Sequence, residues 1–173
     1  MASVALKIVI ATDAWKPQIN GVVTTLSHVE GYLRAQGCEV RVIHPGDFHT
    51  FALPNYKEIC VAWNVWKFAE IFESFKPDCV HIATEGPIGL AARRYLTKRG
   101  LPFTTSLHTK FPEYVNQRIG MPVSWGYAFL RWFHEPSKAT LVTTESMRDE
   151  LTARGLKDLV VWTRGVDTQL FSP

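Results

Sequence analysis

The sequence predicts an α/β fold, a single Rossmann-like, doubly wound parallel sheet with helices on both faces. Three observations carry this. Short continuous apolar runs alternate with segments of helical periodicity along nearly all of the 173 residues. The first run, residues 7–13, is a continuous apolar stretch, as expected of a strand covered on both sides. No internal repeat interrupts the order, and a chain with 46% hydrophobic and 20% charged residues has the balance of a globular protein with one sizeable core.

Residues 7–13 (KIVIATD) form the first predicted strand. Val22, Leu26, Val29 and Leu33 then recur at helical spacing, with Gly37 as a stop. Residues 39–44 (EVRVIH) are the second strand, broken by Pro45-Gly46, and residues 59–62 are a short third. Val65, Phe68, Phe72 and Phe75 make a helical stripe ended by Lys76-Pro77. Residues 79–83 read as the fourth strand, 87–98 as a helix closing at Gly100, and 102–108 as the fifth strand. Residues 123–134 form an aromatic-rich helix, either a core helix or a face for a membrane or partner, with the core reading preferred. Residues 140–144 are the sixth strand. Ser146-Met147-Arg148-Asp149 reads as a capping box for a helix closing at Gly155, and residues 159–162 as the last strand.

Composition excludes several function classes. A net charge of +3, from 19 basic and 16 acidic residues scattered along the chain, gives no footprint for nucleic acid. Cys38, Cys60 and Cys79 are odd in number, far apart and free of any CxxC pair, so reduced, buried, inert thiols are expected. The six histidines have no metal-ligand spacing, and neither a metal nor a cofactor is expected. The first residues lack a signal-peptide pattern, and no run approaches the ~18 apolar residues of a spanning helix. A cytoplasmic location is the expectation.

Ligands of open parallel sheets bind beyond the carboxyl ends of the strands, near the point where strand order reverses. Here the first and fourth strands are expected to flank that point. The residues past the strand ends are Asp13 to Gly21, then Thr84-Glu85-Gly86-Pro87, then His108-Thr109-Lys110. The loops 14–20 and 109–122 are long, a feature of functional loops. Asp13 is suited to bind a substrate hydroxyl or act as a base, or simply to cap its loop. Asn20-Gly21 opens a helix, a place for a phosphate or an ordinary N-cap. Glu85 is placed for a substrate hydroxyl or for the helix dipole. His108 follows the polar run Thr104-Thr105-Ser106 and suits hydrogen bonding or proton transfer near neutral pH. No GxGxxG, Walker loop or GxSxG occurs.

The segments KIVIATDAWKPQINGVVTTL, DCVHIATEGPIGLAARR, PFTTSLHTKFPEY and TRGVDTQLFSP, in this order, resemble the N-terminal, acceptor-side domain of retaining GT-B glycosyltransferases. The nearest resemblance is to the bacterial GDP-mannose-dependent α-mannosyltransferase group. It implies residues 1–165 as a Rossmann-like domain and 166–173 as the start of an interdomain hinge. It also implies a C-terminal domain, carrying an E-x7-E carboxylate pair, that would hold most of the donor nucleotide and is absent from these residues. It implies His108 and Asp13 as catalytic residues. Asn20, Gly21, Glu85, Gly86, Thr109 and Lys110 would be substrate-binding residues, with Gly21 near the donor diphosphate. Asn20 stands where many relatives have glycine. The implied partners are a nucleotide-sugar donor and a lipid or sugar acceptor. Contact with the inner face of the membrane, and self-association or a partner chain at the interdomain face, are further expectations. So is inactivity without the second domain. The competing reading is a non-enzymatic binding module completed by a partner.

Overall fold

The structure, a computed structural model, describes residues 5–53, 56–108 and 122–163. Thr109 and Lys110, the loop to residue 121 and the hinge lie outside the described residues. In chain order the elements are β1 (Lys7–Ala11), α1 (Gly21–Ala35), β2 (Glu39–Ile43), β3 (Thr50–Leu53), β4 (Tyr56–Ala62), α2 (Phe68–Phe75), β5 (Cys79–Ile82), α3 (Pro87–Arg99), β6 (Thr104–Leu107), α4 (Val123–His134), β7 (Thr140–Val142), α5 (Glu145–Ala153) and β8 (Leu159–Val161).

Six strands form one sheet in the order β2-β1-β5-β6-β7-β8, every neighbouring pair parallel. Strand order reverses at β1, which lies between β2 and β5, so the predicted first and fourth strands do meet there. Covering on both faces explains the unbroken apolar runs. Val9, Ala11 and Ile43 look to one side, into a core with Phe68 and Phe72 of α2 and Ile88, Ala92 and Leu96 of α3. Ile10, Val40 and Val42 look to the other, onto Leu26 of α1. Leu107 and Val142 meet Leu130 of α4 and Leu151 of α5.

Local signals set the helix ends. Asn20 is extended and its Oδ1 accepts from the Val22 and Val23 amides, 3.0 Å each, starting α1. Gly37, Gly100 and Gly155 adopt positive φ just after α1, α3 and α5, where a side chain would be strained.

Three expectations are corrected. The third strand is one arm of an antiparallel hairpin, β3–β4, that forms its own two-stranded sheet; Thr50–Leu53 is too short and mixed to stand out from a loop. Ser146 does not start its helix: Thr144 is the cap, extended at φ −143°, with its hydroxyl accepting from the Met147 amide at 3.2 Å. Hydroxyls at 143, 144 and 146 compete for that role, and the end of β7 decides between them. The cysteines are not buried. Cys38 and Cys60 are partly exposed and Cys79, at the first position of β5 beyond the helix cover, is exposed.

The aromatic helix α4 is divided. Tyr127, Leu130, Phe133 and His134 face the core, whereas Trp125 and Trp132 are 68% and 49% exposed. The Arg93 guanidinium stacks 3.8 Å over Trp132 and donates to the Phe133 carbonyl at 2.9 Å, tying the C-terminus of α4 to α3.

Candidate active site

The carboxyl ends of β1 and β5 are bound to each other by one residue pair. The Asp13 amide donates to Thr84 Oγ1 at 2.7 Å, and the Thr84 hydroxyl donates back to Asp13 Oδ2 at 2.8 Å. Asp13 Oδ1 accepts from the Ile88 amide at 2.8 Å and Oδ2 from the Gly89 amide at 3.2 Å. These are first-turn amides of α3, which have no intrahelical partner. The residue at the N-cap position, Gly86, has no side chain to serve them. Asp13, just past the end of β1, therefore caps α3 from 75 and 76 residues away in sequence.

This clasp explains the glycines of the EGPIG segment. A Cβ at Gly86 would stand 2.5 Å from Asp13 Cγ, and one at Gly89 would stand 1.9 Å from the Thr84 carbonyl oxygen. Both contacts are too close for any side chain. Burial pushes the Asp13 pKa up despite its three donors, and the charge of Glu85 adds to that rise.

Glu85 lies on the exposed side of the clasp, its side chain 21% exposed. Oε1 is 3.4 Å from Nε2 of His134, the last residue of α4.

His108 is held at the end of β6. Its Nε2 lies 2.9 Å from Ser106 Oγ, and its ring stands edge-on to Trp162 at 6.5 Å. Ser106 Oγ is also 3.1 Å from His81 Nε2 and 3.3 Å from the Ala83 carbonyl. His81 Nδ1 is 2.9 Å from Thr104 Oγ1. Burial, and next the neighbouring His108, push the His81 pKa down to about 4, so His81 is neutral at pH 7.

The neighbouring carboxyl ends of β1, β5 and β6 thus carry Asp13, then Glu85 and Gly86, then His108, which Ser106 links to the end of β5. Asn20 and Gly21 are exposed at the start of α1, with the Asn20 side chain occupied by its own helix and by Gln18 at 3.3 Å. Among the described residues, no three His, Cys, Asp or Glu side chains are grouped to hold a metal ion. No described helix is long and apolar enough to cross a membrane.

Sequence reasoning named Thr84 and Ser106 only by their position and missed His81 and His134 as contributors. The available signal was the hydroxyl run Thr104-Thr105-Ser106 in a strand that burial would otherwise fill with aliphatic residues.

Residues 19–170 match the profile described as Glycosyltransferase Family 4. A GDP-mannose-dependent alpha-mannosyltransferase of Mycobacterium tuberculosis is 25% identical, over 97% of this chain and 50% of its own length. A sulfoquinovosyl transferase of Arabidopsis thaliana is 27% identical over 82% of this chain and 31% of its own. The alpha-monoglucosyldiacylglycerol synthase of Acholeplasma laidlawii is 30% identical over 64% and 32%. The chain spans half the length or less of these curated relatives. Its parallel sheet, wound with helices on both faces, is the architecture of one Rossmann-like half of a GT-B fold. The match takes in Thr84, Glu85 and His108, and the chain belongs to Glycosyltransferase Family 4.

Proposed function

We propose that this chain is the acceptor-side domain of a retaining glycosyltransferase. It would move a hexose, mannose from GDP-mannose as the first reading, to a lipid or sugar acceptor. The single observation that carries this is the grouping of polar side chains at the adjacent carboxyl ends of β1, β5 and β6. A part-exposed carboxylate, Glu85, and an anchored imidazole, His108, follow β5 and β6, and the Asp13 clasp ties the end of β5 to that of β1. Family membership supports glycosyl transfer, and relatives named for mannosyl, sulfoquinovosyl and glucosyl transfer keep the sugar open to test.

In this reading His108 hydrogen-bonds the donor sugar, Glu85 accepts from an acceptor hydroxyl, and the exposed start of α1 at Asn20-Gly21 meets the diphosphate. Thr109 and Lys110, which follow His108 in the sequence, are further substrate-binding residues in this reading. Asp13 serves by holding the ends of β1 and β5 together, since its carboxylate is spent on Thr84, Ile88 and Gly89. The bond from the anomeric carbon to the leaving phosphate breaks as the bond to the acceptor oxygen forms on the same face. The acceptor proton passes to the departing phosphate oxygen. A second, donor-binding domain completes the site, and these residues alone turn over little donor.

The test is transfer of labelled mannose from GDP-mannose by the whole protein that carries these residues. Methyl α-mannoside, diacylglycerol vesicles and phosphatidylinositol vesicles serve as acceptors. Label in any product supports the reading. No transfer from GDP-, UDP- or ADP-hexoses to any of the three by folded protein overturns it.

A further inference from the structure

Strand β6 is unusual in its interior. Successive side chains of a strand alternate between faces, and Thr104, Thr105 and Ser106 put hydroxyls on both. Thr104 and Ser106 serve His81 and His108 on one side. Thr105, fully buried, serves His134 on the other.

His134 is 4% exposed and meets the site described so far at Glu85. Its Nδ1 is 2.8 Å from Thr105 Oγ1, which is 2.9 Å from Thr140 Oγ1. The Ser137 hydroxyl donates to the His134 carbonyl at 2.7 Å, leaving its oxygen to accept from Thr140 at 3.2 Å or, more distantly, from Thr105 at 3.4 Å. Nε2 is buried and makes no hydrogen bond of good geometry; the polar atom it faces is Glu85 Oε1 at 3.4 Å. The protons can be counted. If Thr140 donates to Thr105 and Thr105 to Nδ1, every hydroxyl is used and Nε2 carries the ring proton toward the carboxylate. If the order runs the other way on a neutral ring, a bare nitrogen lone pair faces a carboxylate oxygen inside the protein, an arrangement that repels in a low dielectric.

We infer that His134 is a positioning residue for Glu85. Oriented from behind by Thr105 and Thr140, it presents Nε2–H to Oε1 and so orients the carboxylate, leaving its other oxygen for the acceptor hydroxyl. This deepens the acceptor-side reading of Glu85 and rests on it. The C-terminus of α4 is well placed for the task because Arg93 fixes it to α3, the helix that Asp13 caps.

Nitrogen-15 NMR of the His134 ring in the 173-residue chain tests the wiring without any substrate. A proton on Nε2 supports it, and a neutral ring protonated at Nδ1 alone overturns it. In the whole protein, GDP-mannose with methyl α-mannoside tests the consequence. Gln places its amide nitrogen near Nε2, whereas Asn reaches only the Nδ1 position. His134→Gln should keep the acceptor KM within about threefold, and His134→Asn should raise it about tenfold with a smaller effect on kcat, the value of about one hydrogen bond to a charged group. In a Glu85→Gln background His134→Asn should cost nothing more. Equal damage by both His134 variants, undiminished in that background, would show a merely structural histidine and overturn the inference. If wild-type protein transfers to no acceptor, the acceptor reading of Glu85 falls, and the NMR result still decides how His134 is wired.

Discussion

Replacing Asp13 separates scaffolding from chemistry. Asp13→Ala removes the acceptor for the Thr84 hydroxyl and for the Ile88 and Gly89 amides. Each hydrogen bond to a charged group is worth about 1.5–3 kcal/mol. They share one carboxylate, so their values do not add, and the burial that raises its pKa offsets part of the gain. Two helix amides are left buried and Gly86 offers no replacement. The net loss is about 3 kcal/mol, or a Tm lower by roughly 6–12 °C for a chain of this size. Asp13→Asn keeps one acceptor oxygen and sheds the cost of the buried charge, so it should lose only about 1 kcal/mol. Thermal and urea unfolding followed by circular dichroism reads both values. The pH dependence has a definite sign. Because the folded-state pKa is raised above 3.8, the folded chain takes up this proton before the unfolded one as pH falls. Asp13 therefore contributes more favourably to stability on acidification through the folded-state pKa toward 3.8, and Asp13→Asn should lack that contribution. An Ala variant that melts with the wild type yet transfers no sugar would refute the capping argument and return Asp13 to the chemistry.

His81 acts in the opposite sense. With a pKa of about 4 in the fold against the ordinary 6.5, the unfolded chain binds the proton first, and stability should fall by up to about 3 kcal/mol between pH 6.5 and 4; His81→Asn should flatten that window in urea titrations. Gly89→Ala drives a methyl into the Thr84 carbonyl and should cost about 3 kcal/mol or more, seen as a lower urea midpoint at unchanged slope. Asn20→Ala removes the cap on Val22 and Val23 and should cost about 1 kcal/mol in thermal unfolding; a loss several times larger would show that Asn20 does more than cap its helix.

Much of the fold was legible because its signals are local. The Val22, Leu26, Val29 and Leu33 spacing and the Asn20 cap are properties of neighbouring residues, and α1 runs as they indicate. The hairpin β3–β4 was not legible, because four residues of mixed polarity form a strand only when a partner satisfies their backbone. The Ser146 reading failed for a related reason: several hydroxyls offered the same local bond, and the position where β7 stops chose Thr144. At the site, the three strand ends follow from element order and the reversal point from the usual winding of such sheets, which is why Asp13, Glu85 and His108 stood out.

By itself the sequence determined the alternating architecture and the resemblance to one half of a glycosyltransferase, since each follows from periodicity or a contiguous motif. Only the tertiary structure decided what the polar groups do. Asp13 and the amides of α3 are 75 residues apart in sequence, yet their bonds are short. His134, at the end of α4, meets Glu85 in the loop between β5 and α3. Buried donors and acceptors must be paired wherever the chain brings them together, and that pairing depends on distances in space that no spacing along the sequence encodes.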